Sequence, residues 1–356
     1  MKIIIVGPSL KRRGGVTQHV RTLLDSPLKN DFSVSLFRIG PEYSDGPISV
    51  AMKFLATPLR FLLRLITVRP ALVHFNPSFD KKSLLRELPM LLLCRLMRCV
   101  GLLQFHGGTM DNLIRGNRPP AYLRLMLRLA QHIVLLTDIQ KESVSRFVPD
   151  EKISVLPNMV DCSFNLPERK VHSEKYNVLF LSRVEKMKGV YDIFEAIPTV
   201  LDRFPQACFQ FAGEGNDRAK LETICQSNGL CGRVKFLGHI LEAEKVQFLS
   251  RGDLFLFPSH HPEGMPYALL EAMAFGLPII ATPVGALREI ISHEKNGLIV
   301  PVESPDMLAA SIIRLLDDAP LRKKMRAQNR RDAETKYNIT VVCEQFKTLY
   351  EKLTKQ

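Results

Sequence analysis

The sequence predicts an α/β protein built of two doubly wound parallel sheets. Three observations carry that expectation. Short apolar runs rich in Ile, Val, Leu and Phe alternate with longer amphipathic runs, the alternation restarts midway, and a polar stretch separates the two series. A chain of 356 residues accommodates two domains of ordinary size, each with its own core.

In the first half the strand-like runs are KIIIVG, FSVSLF, ALVHF, GLLQF and HIVLL, and helical runs fall at 15–25, 50–66, 80–98, 119–130 and 138–147. Runs this short, with β-branched residues and flanking turn signals, read as buried strands. The stretch from Asp161 to Tyr176 contains Pro167 and many charges and reads as the interdomain linker. The second half repeats the rhythm with NVLFLS, ACFQFAG, VKFLGH, DLFLFP, PIIAT and GLIVP, and the tail, 321–356, is helical and amphipathic. The expected domains are residues 1–165 and 166–340, with 341–356 a C-terminal helix turning back towards the N-terminal domain.

A hydrophobic fraction of 46% and a charged fraction of 24% are those of a globular protein and exclude a disordered or fibrous chain. Seven scattered cysteines with no C-x-x-C pair argue against a disulfide framework or a zinc site and fit a reducing compartment. Met1 runs straight into a strand, without the apolar stretch and cleavage site of a signal peptide, so a cytoplasmic protein is expected. The net charge is +13, of which residues 1–165 carry +11 and the remainder +2. Such a basic half suits nucleic acid, an anionic membrane or an acidic substrate.

In open α/β sheets ligands bind beyond the carboxyl ends of the strands. After NVLFLS come Arg183 and Lys188, in a strand-to-helix loop that reads either as a solvated basic turn or as a seat for a diphosphate. A planar guanidinium and a compact ammonium suit the negative charge that builds on a departing nucleoside diphosphate. After DLFLFP comes the loop SHHPEGMP and the helix YALLEAMAFG, closed by Gly276 with Pro278 beyond it. Glu263 lies in that loop and Glu271 eight residues later in the helix, an E-x7-E pattern that by itself reads equally as a surface and a capping Glu or as two carboxylates able to accept vicinal sugar hydroxyls. Backbone amides around Gly264, Met265, Tyr267 and Ala268 are placed to meet an anion at the helix start.

These strings, taken in order, resemble glycosyltransferase family 4, the retaining two-domain transferases of the GT-B fold. The matching pieces are GPSLKRRGGVTQHV, ALVHFNP, LLQFHGG, LTDIQKESVSRF, VLPNMVD, FLSRVEKMKGVYDIFEAI, FAGEGNDRAKLE, VKFLGHI, the long string from 255 to 285, and NGLIVP. The resemblance implies two Rossmann-like domains facing an interdomain cleft. Arg183 and Lys188 would contact the donor diphosphate, Glu271 the ribose and Glu263 the transferred sugar. Gly14 and Gly15 would approach the donor phosphates or the acceptor, backbone at Gly238, His239 and Ile240 would read the base, and His106 would contact the donor sugar. It also implies front-face attack with retention, the leaving diphosphate helping to deprotonate the acceptor. Met265 and Pro266 stand where many relatives have Phe and Gly, which implies an altered loop.

No two aspartates stand two apart, so the metal-binding D-x-D motif is absent, and neither metal nor other cofactor is expected. The expected partners are a nucleotide-sugar donor and a glycan or lipid-linked acceptor. Three first-domain segments, 51–66, 81–100 and 121–133, combine apolar residues with Lys and Arg, and Lys53, Arg60 and Arg64 share a helical face. None is long enough to span a bilayer, but all suit an anionic surface, so peripheral contact with the cytoplasmic face of the membrane is expected. The competing readings are a GT-B nucleotide-sugar epimerase or hydrolase, and a basic nucleic-acid-binding protein. Against the latter, no nucleic-acid signature appears.

Overall fold

A computed structural model of the chain describes residues 1–42, 45–114, 118–164 and 175–355. The middle of the expected linker, 165–174, lies outside the described residues, as do 43–44, 115–117 and 356. The chain divides into two compact units, Met1–Met159 with Asn338–Gln356, and Val160–Tyr337.

The first unit runs β1 (Lys2–Gly7), α1 (Gly15–Asp25), α2 (Leu28–Asp31), β2 (Ser33–Arg38), α3 (Pro47–Val68), β3 (Leu72–Phe75) and α4 (Lys81–Leu96). It continues with β4 (Val100–Gln104), α5 (Ala121–Leu129), β5 (His132–Leu135), α6 (Asp138–Ser145) and β6 (Ile153–Val155). All six strands are parallel, in the order β2-β1-β3-β4-β5-β6. Strands covered on both faces explain why Ile3, Ile4, Ile5 and Val6 are consecutively buried instead of alternating. Local chemistry starts and stops the helices. The Asp80 side chain accepts from Ser83 N at 2.9 Å ahead of α4, Thr137 caps α6, and α3 ends at Arg69 in the left-handed region, one residue before Pro70. On one face of the sheet Phe61 and Leu65 of α3, Leu84 and Leu91 of α4, Leu123 and Met126 of α5 and Val144 of α6 share a single core.

The second unit runs β7 (Tyr176–Leu181), α7 (Val190–Arg203), β8 (Ala207–Ala212), α8 (Arg218–Ser227), β9 (Val234–Gly238), α9 (Glu242–Ser250) and β10 (Leu254–Phe257). After these come α10 (Tyr267–Ala274), β11 (Ile279–Ala281), α11 (Leu287–Ile290), β12 (Gly297–Ile299), α12 (Pro305–Asp317) and α13 (Ala319–Asp332). Its parallel sheet has the order β12-β11-β10-β7-β8-β9. The last helix, α14 (Ile339–Thr354), packs into the first unit. Val342, Phe346 and Tyr350 join Ile3, Ile5, Val20 and Leu102 in the core of the other sheet face, and the Tyr350 hydroxyl lies 2.7 Å from His74 Nδ1.

Candidate functional site

Strand order in the second unit changes direction between β7 and β10, so the loops leaving the carboxyl ends of these two strands diverge to opposite faces and leave a crevice at their start. The first loop closes in a 3-10 turn, Lys186–Lys188, and the second carries Ser259 and Glu263. One Glu263 carboxylate oxygen accepts from both the Lys188 ammonium and the Ser259 hydroxyl, the latter at 2.7 Å. The Lys188 and Glu263 side chains are only 10% and 12% exposed, which makes this a largely desolvated ion pair.

Backbone geometry brings the loops this close. Gly189 has φ 72°, and a Cβ there would run into the Pro258 carbonyl, so only glycine lets the two strand ends approach. Gly285, at φ 53°, lies in the same way against the Glu263 main chain, and the next amide, Ala286 N, donates to Glu263 O at 2.9 Å. The Thr282 hydroxyl donates to Ser259 O at 2.5 Å, His260 N donates to Met187 O at 2.9 Å, and His260 Nε2 lies 2.8 Å from Asp192 Oδ2. Glu263 is therefore fixed from the ends of β7, β10 and β11 and from the first turn of α7.

Arg183 is placed differently. Its side chain is 65% exposed and pairs with Glu185 at 2.8 Å. Glu271 projects from α10 and takes Lys245 Nζ at 2.5 Å, while Lys245 also reaches Glu242 at 2.9 Å. Burial pushes the Glu271 carboxyl up, partly offset by Lys245. Burial alone works against the Lys245 charge, but Glu271 and Glu242 outweigh it and hold the ammonium above its usual range. The helix α10 opens after Pro266 with no side-chain cap. Gly264, Met265 and Tyr267 are buried there and Ala268 half-buried. At the end of β9 the Gly238 carbonyl accepts from Gly213 N at 2.6 Å, His239 is exposed and Ile240 half-buried.

Gly14, Gly15 and His106 belong to the first unit. The two glycines open α1 without a side-chain cap and face open space. His106 follows β4 and is 4% exposed, with Nε2 lying 3.1 Å from Asn76 Oδ1 and its ring 4.5 Å from that of His19. The Asn76 amide in turn donates to Val6 O at 3.0 Å.

His19, His74 and His106 thus form a buried imidazole group. Burial drives His19 down to about 4, against the pull of the neighbouring Gln104 and Asn158 side chains, and drives His74 and His106 well below the usual range. Each is therefore neutral when folded, while in the unfolded chain each takes up a proton below about 6.5. Their contribution is complete above that pH and is lost as pH falls towards 4. From His19 alone the fold should lose about 2 kcal/mol between pH 7 and pH 5. Urea unfolding followed by circular dichroism at the two pH values checks this, and equal midpoints would contradict neutral burial.

The structure therefore brings Lys188 and Glu263 together, gives Arg183 and Glu271 separate partners, and sets Gly238–Ile240 at the end of β9. It adds Ser259, Lys245 and Gly285, which sequence reasoning missed. Ser259 and Gly285 lie inside the string that drew attention to Glu263, but their contacts follow from strand order and not from spacing. Nothing in the sequence around Lys245 marks it.

The family model described as Glycosyl transferases group 1 matches residues 164–332. The chain is 28% identical over 295 residues to the amylovoran biosynthesis glycosyltransferase AmsK of Erwinia amylovora, covering 79% of this chain and 70% of that protein. To a phosphatidyl-myo-inositol mannosyltransferase of Mycolicibacterium smegmatis it is 31% identical over 179 residues, covering 50% of this chain and 45% of that one. A glycosyltransferase of Methanocaldococcus jannaschii, 29% identical over 62% of this chain, is itself covered over 60%. The chain thus spans less than two thirds of the length of several of the relatives it matches. Among solved structures, sucrose-phosphate synthase from Thermosynechococcus elongatus superposes with a TM-score of 0.77 at 18% identity, over 99% of this chain and 98% of that one. Anabaena HepE in complex with UDP-glucose gives 0.75 at 19% identity, over 99% and 100%. Two six-stranded parallel sheets with flanking helices, shared with these neighbours, are the GT-B fold. Over residues 164–332, just under half of the chain, the sequence therefore matches the group 1 glycosyltransferases.

Proposed function

We propose that the chain moves a sugar from a nucleotide-sugar donor to a hydroxyl of a glycan or lipid-linked glycan, with retention of configuration. The observation that supports this most is the Lys188–Glu263–Ser259 group at the β7/β10 crevice, where an ammonium and a carboxylate stand side by side in a desolvated niche. In this reading Lys188 and Arg183 stabilise the diphosphate as the bond from the anomeric carbon to its oxygen breaks. The acceptor oxygen bonds to that carbon on the same face, and its proton passes to the departing diphosphate. Glu263 turns from Lys188 to the sugar hydroxyls, and Glu271 accepts from the ribose. Amides of Gly264, Met265, Tyr267 and Ala268 meet phosphate oxygens, Gly238 to Ile240 read the base, Gly14 and Gly15 approach phosphate or acceptor, and His106 holds the donor sugar. HepE has been solved with UDP-glucose, and Staphylococcus aureus TarM with UDP and a GlcNAc-glycerol. A panel of UDP-, GDP- and ADP-sugars with candidate glycan acceptors tests the proposal. Nucleoside diphosphate release that requires acceptor is expected, while free sugar released as fast as product forms would favour a hydrolase.

The acceptor reading adds peripheral membrane contact through α3. Thr57, Phe61 and Leu65 face the core, whereas Ile48, Met52, Leu55, Leu59, Leu63 and Ile66 recur at steps of three and four on the opposite, exposed side. Arg60 and Arg64 flank that stripe. Lys53 is already paired with Asp45 at 2.5 Å, which lessens its share. Among the described residues no helix is long and apolar enough to cross a membrane.

A further inference from the structure

A pocket of about 250 Å³ opens on the first unit between α5 and the segment leading into β6. Arg124, Arg128 and Lys152 ring it, over a floor that includes Leu127, Phe147 and Val148. Because every strand of this sheet is parallel, residues preceding β6 lie at the opposite end from the loops that carry Gly14 and His106. The pocket is therefore separate from the site described above. It is smaller than the roughly 300–1,000 Å³ of pockets that bury a drug-sized ligand, which suits a headgroup and not a nucleotide sugar.

Its charge is uncompensated. Arg124 and Arg128 stand four apart on one helical face, where like charges repel. Of the acidic side chains nearby, Asp111 pairs with Arg146 and Asp150 with Lys141 at 3.8 Å, while Glu151 is exposed to solvent. Among the described residues no carboxylate is within ion-pair distance of Arg124, Arg128 or Lys152. Two guanidinium forks and an ammonium around one small volume match a phosphate diester. The floor selects further, because a free phosphate ion gains nothing from Leu127, Phe147 and Val148, whereas a glycerol ester and the start of an acyl chain do. Phe147, which lines the pocket, is exposed, as are Leu125 of α5, Leu92 and Leu96 of α4 and the α3 stripe, and these three helices cover the same face of the sheet.

We propose that this pocket binds the phosphate-bearing headgroup of a single anionic phospholipid, a specific lipid site remote from the donor site. The proposal rests on the membrane reading of α3 but is testable apart from it. Dihexanoyl phosphatidylglycerol, kept below its micelle concentration, is titrated calorimetrically into the full chain. Saturable binding of one lipid per chain is expected, weakened at least tenfold in R124Q/R128Q/K152Q. The charge-matched variant R69Q/R95Q/R98Q, three exposed arginines outside the pocket, should bind within twofold of wild type. Inorganic phosphate at the same concentration should not compete, and unchanged melting curves establish that both variants fold. Absence of saturable binding, equal weakening in the two variants, or full competition by inorganic phosphate would overturn the site. A chain that binds the monomeric lipid but does not sediment with vesicles keeps the pocket and removes the membrane reading.

Discussion

Lys188→Ala and Arg183→Ala should each lower turnover at saturating donor by about a hundredfold, since losing one donor to developing charge costs on the order of 3 kcal/mol. The two variants should nevertheless differ in stability. Arg183 is 65% exposed and pairs with Glu185 across the surface, so its removal should change the unfolding free energy by less than about 0.5 kcal/mol. Lys188 shares a niche with Glu263, and its loss strands a carboxylate that is 12% exposed and, among the described residues, retains the Ser259 hydroxyl as its side-chain donor. A cost of about 3 kcal/mol is expected there. Steady-state kinetics paired with urea unfolding checks both. Turnover within threefold of wild type in both variants would remove the diphosphate role, and equal stability would contradict the ion pair.

The second large effect concerns α3. Leu55 and Leu59 are 78% and 63% exposed, on the side of the helix turned away from Phe61. Transfer of a leucine side chain from water into the acyl boundary contributes on the order of 1.5 kcal/mol. Replacing Leu55, Leu59 and Leu63 by Ser should therefore weaken vesicle binding by about 4 kcal/mol, or roughly a thousandfold. Changing Lys53, Arg60 and Arg64 to Gln should do less, because an exposed cation near anionic lipid contributes about 1 kcal/mol and Lys53 is already held by Asp45. The apolar stripe thus contributes more than the cations, and it predicts binding that survives 0.5 M salt better than an attraction screened within about 10 Å at 0.1 M. Sedimentation with phosphatidylglycerol vesicles measures this. If the serine variant sediments like wild type, α3 is a solvated cover for the sheet.

Much of the architecture was legible because parallel strands buried on both faces leave continuous apolar runs such as KIIIVG and NVLFLS, which no amphipathic helix mimics. The strand missed was β6, three residues at the sheet edge within ISVLP, too short to separate from a loop. The basic α3 was visible as a helix, but periodicity cannot tell which of its two apolar faces meets the sheet, so the outward stripe emerged only from burial. At the candidate site, residue types and strand-end positions singled out Lys188 and Glu263. Their direct pairing depends on β7 and β10 being neighbours, a fact of topology that no local spacing encodes. Lys245 was invisible for the same reason, since its partner Glu271 lies 26 residues away on another helix. The orientation of Arg183 towards Glu185 likewise follows from the loop's shape.

Binding of UDP, GDP and ADP to the wild-type chain, Glu271→Ala and Glu263→Ala, followed by calorimetry, tests most directly whether the crevice beyond β7 and β10 is a nucleotide-sugar site with divided roles. One of the three diphosphates should bind saturably. Glu271→Ala should weaken that binding at least tenfold, because a carboxylate accepting two ribose hydroxyls contributes charge-assisted hydrogen bonds worth about 1.5–3 kcal/mol each. Glu263→Ala should stay within threefold of wild type, because the bare diphosphate lacks the sugar that Glu263 is proposed to hold. Failure of all three diphosphates to bind, or equal losses in the two variants, would contradict the assignment.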